Sequence, residues 1–193
     1  MIRRLQKDIL QSLIPPRCEF LLFCRPTQVQ RDLYKELTAH SSAVSDPLPL
    51  LTKLRKICTH PSLLKTAVRD SCSTLSNTDN NSSGKLDVLE HLLEAIYNNT
   101  DDKVVVVSNF TSALSLIEEA IIKKRDWPCL RLDGTVEQSS RQTLVDSFNR
   151  GSVQQSFIFL LSSKAGGCGL NLCKANRLVM VDGDWNPATG EYV

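Results

Sequence analysis

SFIFLLSSKAGGCGLNLCKANRLVMVDGDWNP, residues Ser156 to Pro187, is the stretch on which the fold turns. A run of β-prone apolar residues, Phe157 to Leu161, stops at Ser162, Ser163 and Lys164, and glycines follow at 166, 167 and 169. A second apolar run, Leu178 to Val181, ends in Asp182, Gly183 and Asp184. The pattern predicts strand, loop, strand. The loop suits an anion, because glycine lets backbone N–H groups approach without a Cβ in the way, while hydroxyls and a lysine reach phosphate oxygens directly.

Toward the amino terminus the same alternation repeats. A helix over Lys85–Asn98 precedes a strand at Lys103–Ser108, whose four consecutive valines suit a strand covered on both faces. The next helix, Phe110–Lys124, carries Phe110, Ala113, Leu114, Ile117, Ala120 and Ile121 at helical spacing, with a Glu119–Lys123 pair outside. A strand at Cys129–Leu132 and a helix over Glu137–Asn149 follow, with Thr135 and Gln138 spaced as a capping box. This alternation predicts an α/β fold, a mainly parallel sheet flanked by helices with right-handed crossovers. Ligands of such sheets bind beyond the carboxyl ends of the strands. Here those ends are Ser108-Asn109, Asp133-Gly134-Thr135, Ser162-Ser163-Lys164 and Asp182-Gly183-Asp184, expected on one edge.

The amino-terminal part reads differently. Ile2, Leu5, Ile9, Leu10 and Leu13 form a helical stripe that Pro15-Pro16 ends, and a short strand is expected at Phe20–Cys24. Pro26 fits the first turn of a helix carrying Val29, Leu33, Tyr34 and Leu37 on one face. Leu48 to Leu64 is helical and broken at Pro61, and Arg69 to Gly84, rich in Ser, Thr, Asn and Asp, reads as a mobile loop.

With 41% hydrophobic and 23% charged residues, the 193-residue chain has the composition of a soluble globular domain. A formal charge of +2 is too small to imply a nucleic-acid partner by itself, so any basic surface must be local. The start, MIRRLQKDIL, is charged where a signal peptide needs an apolar core, and no apolar run approaches the ~18 residues of a membrane span, so an intracellular protein with no membrane partner is expected. Seven cysteines without a C-x-x-C pair read as reduced thiols.

Several chemistries are disfavoured. Ser83-Gly84-Lys85-Leu86 lacks the upstream glycine and the following Ser or Thr of a phosphate-binding P-loop, and Leu172 stands where a dinucleotide fingerprint needs its third glycine. His40, His60 and His91 lie away from the strand ends, which argues against nucleophilic catalysis. Asp133, Asp182 and Asp184 either hold turns or act in a site. Trp185 either packs or stacks on a nucleotide or nucleic-acid backbone.

Longer motifs carry a resemblance. The stretch SSKAGGCGLNLCKANRLVMVDGDWNP resembles the fifth helicase motif and its extension in the switch/sucrose-non-fermenting class of superfamily-two DNA translocases. RLDGTVEQSSRQTLVDSFN and KVVVVSNFTSALSLIE resemble that class's preceding motifs, and LTKLRKICTHPSLL resembles its Leu-Arg-Lys-x-Cys-x-His-Pro block. Within the class the wording is closest to the Rad-fifty-four-like recombination-repair branch.

The resemblance implies the second of two RecA-like lobes, with double-stranded DNA across both lobes and ATP with magnesium in the cleft between them. It implies that Ser162, Ser163 and Lys164 meet the DNA backbone, with Thr135, Arg141, Trp185 and Asn186 as further DNA contacts or supports. Gly167, Gly169 and Asn171 would shape the face toward ATP and the first lobe. No residue here matches a catalytic or metal position, and the family's arginine-bearing sixth motif is not found. The expectation is a linker over residues 1–19, an incomplete lobe over 20–189 and a tail outside the family at 190–193. Such a fragment would by itself neither bind ATP tightly nor hydrolyse it. The resemblance further implies a nuclear protein whose partners are DNA, a recombinase filament and the missing first lobe. The alternative is a truncated, non-catalytic binding or regulatory module.

Overall fold

The computed structural model describes residues 18–39, 47–64, 83–166 and 169–183. Helix α1 (Gln28–Ala39) and helix α2 (Pro47–Thr59) come first, and a 3-10 turn at Pro61–Leu63 follows. A capping box opens α1: Gln30 N donates to Thr27 Oγ1 at 3.3 Å, and Thr27 N donates to Gln30 Oε1 at 3.0 Å. Pro26 therefore stands just before the cap, not in the first turn. The Gln30 side chain is buried, and its Nε2 donates to the carbonyls of Ile57 at 2.8 Å and Cys58 at 3.2 Å, tying α1 to the end of α2. Leu33, Ile57 and Leu64 make a small core there with Val29 and Leu37, while Tyr34 is exposed at its rim. The break expected at Pro61 is a capped turn, in which His60 Nδ1 accepts from Ser62 N at 3.1 Å.

No strand forms at Phe20–Cys24. Phe20, Leu21, Leu22 and Phe23 are between 57% and 91% exposed. β-propensity describes how a side chain fits a pleated, half-buried surface, and this segment makes no ladder pairing to supply one. The helix read over the first thirteen residues lies outside the described residues, as does the loop of 69–84 up to residue 82.

From Gly84 onward the expected alternation holds. Helix α3 (Gly84–Asn99) leads to strand β1 (Lys103–Ser108), and helix α4 (Thr111–Ile117) runs through a π-helical stretch (Glu118–Ile122) into helix α5 (Lys123–Arg125). Strand β2 (Cys129–Leu132), helix α6 (Gln138–Arg150), strand β3 (Ile158–Ser162), the single turn α7 (Ser163–Gly166) and strand β4 (Ala175–Met180) follow. The strands form one parallel sheet in the order β2-β3-β1-β4.

Both faces of β1 are covered, as its valines require. Val104 and Val106 pack with Ile158 and Leu160 beneath Leu89, Leu93, Leu114 and Ile117, while Val105 and Val107 join Phe159, Leu161, Val145 and Phe148 on the other face. The π stretch changes one detail. Its extra residue per turn buries Ile121 and Ile122 and leaves Ala120 exposed, so Ala120 is not part of the core face.

Helix α6 corrects another expectation. Its cap position is Glu137, and Thr135 forms no capping box, because its hydroxyl donates to Asp133 Oδ1 at 2.6 Å instead. Strand β4 begins before its apolar run: Ala175 pairs with Lys103, Lys103 N donates to Asn176 Oδ1 at 3.0 Å, and Arg177 reaches Asp102 at 2.7 Å. Polar side chains on an edge strand conceal it from a reading of apolar runs.

Candidate functional site

Parallel pairing brings the ends of β1, β2, β3 and β4 to one edge, and two hydrogen-bonded clusters form there. The first is centred on Asp182, whose side chain is buried. Ser108 Oγ donates to its Oδ2, and Asn109 N donates to its Oδ1 at 2.8 Å. Ser163 Oγ in turn donates to Asn109 Oδ1. Arg55, from α2, donates through Nη2 to Gly183 O and lies 3.9 Å from Asp182 Oδ1. Its guanidinium is 5.2 Å from the Phe110 ring centroid, and Lys56 Nζ is 5.6 Å from the same ring.

The second cluster lies at the β2 end. Asp133 Oδ1 accepts from Thr135 N at 2.9 Å and from the Thr135 hydroxyl, while its Oδ2 accepts from Arg131 Nε at 2.8 Å. The Thr135 hydroxyl bond, reinforced by its N–H and by the Arg131 guanidinium, holds the Asp133 carboxyl below its ordinary range against the opposing effect of burial. Of the two roles open for this carboxylate, turn-holding is the one its hydrogen bonds show. Arg141 Nε reaches Val136 O at 3.4 Å, so Arg141 braces the same loop.

Three proposed phosphate-contact residues fall side by side but differ in exposure. Ser162 is 3% exposed, and its hydroxyl accepts from Ala165 N at 3.3 Å, which caps the α7 turn. Ser163 is half-buried, and Lys164 projects into solvent. Gly169 has φ +66°, a left-handed conformation that glycine adopts without strain. Asn171 is not gathered with them. Its carbonyl accepts from Asn149 Nδ2 at 2.8 Å, and Lys174 N donates to Asn149 Oδ1 at 3.3 Å. Because α6 ends and β4 begins at the amino edge of the sheet, Asn171 stands at that edge, with Leu170 and Leu172 against the Val105 face. Gly167, Trp185 and Asn186 lie outside the described residues. Arg55 was not singled out from sequence as part of the site. Its only sequence signal is membership of the Leu-Arg-Lys-x-Cys-x-His-Pro block.

None of the described residues form a group of three or more His, Cys, Asp or Glu side chains able to hold a metal, and the oxygens of Asp133 and Asp182 are committed to the donors named above. No helix among the described residues is long and apolar enough to cross a membrane.

Residues 84–192 match the model of the helicase conserved C-terminal domain. The chain is 41% identical to the DNA repair protein rhp54 of Schizosaccharomyces pombe, over 99% of this chain and 25% of that protein. It is 38% identical to the DNA repair and recombination protein RAD54-like of Gallus gallus, over 99% of this chain and 29% of that protein. The chain thus spans about a quarter of the length of these curated relatives. Among solved structures, it is similar to the Sulfolobus solfataricus SWI2/SNF2 ATPase core in complex with dsDNA, with a TM-score of 0.66 and 25% identity over 86% of this chain and 35% of that one.

Proposed function

Because the chain belongs to the helicase conserved C-terminal domain family, we propose that it is the carboxyl-side RecA-like lobe of an ATP-driven double-stranded-DNA translocase acting in homologous recombination and double-strand-break repair. The supporting observation is identity of 38–41% across 99% of the chain to DNA repair and recombination proteins. The strand-end edge gives the reading its chemistry. Lys164 supplies an exposed cation and Ser163 a hydroxyl at one end of the sheet, the composition of a phosphate contact rather than a base-reading one. Binding is therefore sequence-independent. Thr135 and Arg141 support the adjoining loop, and Trp185 and Asn186 are further DNA contacts by resemblance alone.

ATP with magnesium belongs to the intact two-lobe motor, where it supplies the hydrolysis that drives movement. By resemblance, Gly167 and Gly169 shape the lobe's face toward the cleft, whereas Asn171, held beside Asn149 at the amino edge of the sheet, does not join them. The partners of the whole protein are duplex DNA, the first lobe and a recombinase filament, and its compartment is the nucleus. By resemblance, residues 1–19 are the linker from the first lobe and 20–189 the lobe itself, while the family match reaches residue 192 and so covers most of the four residues expected as a tail.

The test is direct. The purified chain is expected to bind duplexes of unrelated sequence with equal affinity, and to hydrolyse ATP only when joined to a first lobe of the family. A chain without duplex affinity would overturn the DNA reading, and DNA-stimulated hydrolysis by the chain alone would overturn the division of labour between lobes.

A further inference from the structure

Resting on that reading, we infer that Arg55 is a positioning residue for the phosphate contact: acting through Asp182 and Asn109, it sets the side chain of Ser163. Arg55 lies on α2, outside the sheet, and reaches the strand-end edge with its guanidinium. The path it opens is short. Asp182 is a buried carboxylate whose other partners, Ser108 and Asn109, are neutral donors. The nearby guanidinium supplies the countercharge, and its bond to Gly183 O fixes it to the same strand end.

Orientation then passes along the cluster. Asp182 Oδ1 accepts from Asn109 N at 2.8 Å, and Asp182 O accepts from Asn109 Nδ2 at 3.4 Å, so both ends of Asn109 are tied to one residue. The remaining amide oxygen of Asn109 accepts the Ser163 hydroxyl. A phosphate oxygen can only accept, so contact with DNA requires the Ser163 proton to swing from Asn109 to the phosphate. That swing is a rotation about Cβ–Oγ, which leaves Oγ where Asn109 has held it. Arg55 thus acts on a preorganised oxygen without touching the nucleic acid. Phe110 stabilises the arrangement from below, since the Arg55 guanidinium lies over its ring.

The experiment uses the 193-residue chain and reads two quantities. Amide 1H–15N signals of Asn109 and Ser163 report the arrangement, and titration with a short duplex reports grip. Arg55→Met is expected to move both signals and to lower duplex affinity several-fold. Ser163→Ala alone is expected to lower affinity about tenfold, the weight of one charge-assisted hydrogen bond. In the Ser163→Ala background, Arg55→Met should cause no further weakening. Arg55→Lys, which keeps the charge but not the fork, should restore part of the affinity. The inference is overturned if the Asn109 and Ser163 signals stay put in an Arg55→Met chain that still melts cooperatively, or if the two effects simply multiply. Should Arg55→Met not fold, Asp182→Asn must produce the same signal shifts, and unmoved signals there overturn the inference equally. Signals that move while Ser163→Ala leaves duplex affinity unchanged would sink the DNA reading and leave the positioning of Ser163 standing.

Discussion

At the residue scale, the side chains at the strand ends are held by local hydrogen bonds, and those bonds set their chemistry. Asp133 is the clearest case, because its carboxyl is depressed first by the Thr135 hydroxyl and then by the Thr135 N–H and Arg131. A carboxyl with a lowered folded value stabilises the fold fully above its ordinary value of 3.8, and this contribution is lost as pH falls through the folded value. Thr135→Val should therefore cost about 1 kcal/mol at neutral pH, and the difference from the parent should vanish in acid, as read by urea unfolding at the two pH values. An equal difference at both would show that the ionised carboxylate is not the source. The cysteines separate in the same way. Burial, with Glu118 adding to it, pushes the Cys129 thiol up to about 12, whereas Cys58 and Cys173 are exposed. Alkylation of the folded chain is expected to modify Cys58 and Cys173 within the period in which Cys129 stays intact, and mass mapping of the peptides checks the order.

At the element scale, two junctions explain why the layers meet as they do. The first is the start of α3. A Cβ on Gly84 would come within 1.9 Å of Arg25 O, and Ser83 Oγ donates to Thr59 O at 2.6 Å beside it. Alanine is the better helix former by about 1 kcal/mol, yet Gly84→Ala is expected to lower the melting temperature, because the clash is with backbone that cannot rotate away. A raised melting temperature would mean that the close approach is absent in solution. The second junction joins β1 to the end of α6. Lys103 is buried, and its Nζ donates to Gly151 O at 2.6 Å, to Ser156 Oγ at 2.8 Å and to Phe148 O. Burial lowers its pKa, with Lys174 adding to the effect. Lys103→Met leaves those carbonyls unanswered and should destabilise the fold by about 1–3 kcal/mol in chemical denaturation, more than removal of any exposed lysine.

At the scale of the whole molecule, a chain of net charge +2 grips a polyanion only where its cations are local. Lys164 is such a cation, and Lys164→Ala is expected to flatten the dependence of duplex affinity on salt by about 0.9 in log–log slope, the change produced when one phosphate goes unneutralised. An unchanged slope would remove Lys164 from the DNA-facing surface. The alternating helices and strands from Gly84 to Met180 were legible in the sequence because periodicity and valine runs are local properties. The strand ends carrying Asp133, Ser163 and Asp182 were legible too, since in a parallel sheet order along the chain fixes which ends share an edge. Less could be read where a residue's role depends on a distant partner. Phe20–Cys24 has strand composition and no ladder, Thr135 has capping-box spacing and a nearer carboxylate, and Ala120 has helical spacing and a π turn that rotates it outward. Arg55 is the extreme instance. The block around it, Leu54 to Pro61, marks Arg55 as part of a motif but does not distinguish a surface cation from the countercharge of Asp182, 127 positions away. The sequence by itself determined the layered sheet, the edge where chemistry collects and the family. Only the tertiary structure decided that Asp133 holds a turn, that Ser162 is buried while Ser163 is held by Asn109, and that Arg55 enters the site. Secondary structure follows from spacing along the chain, whereas charge pairing follows from distances through space that folding alone creates.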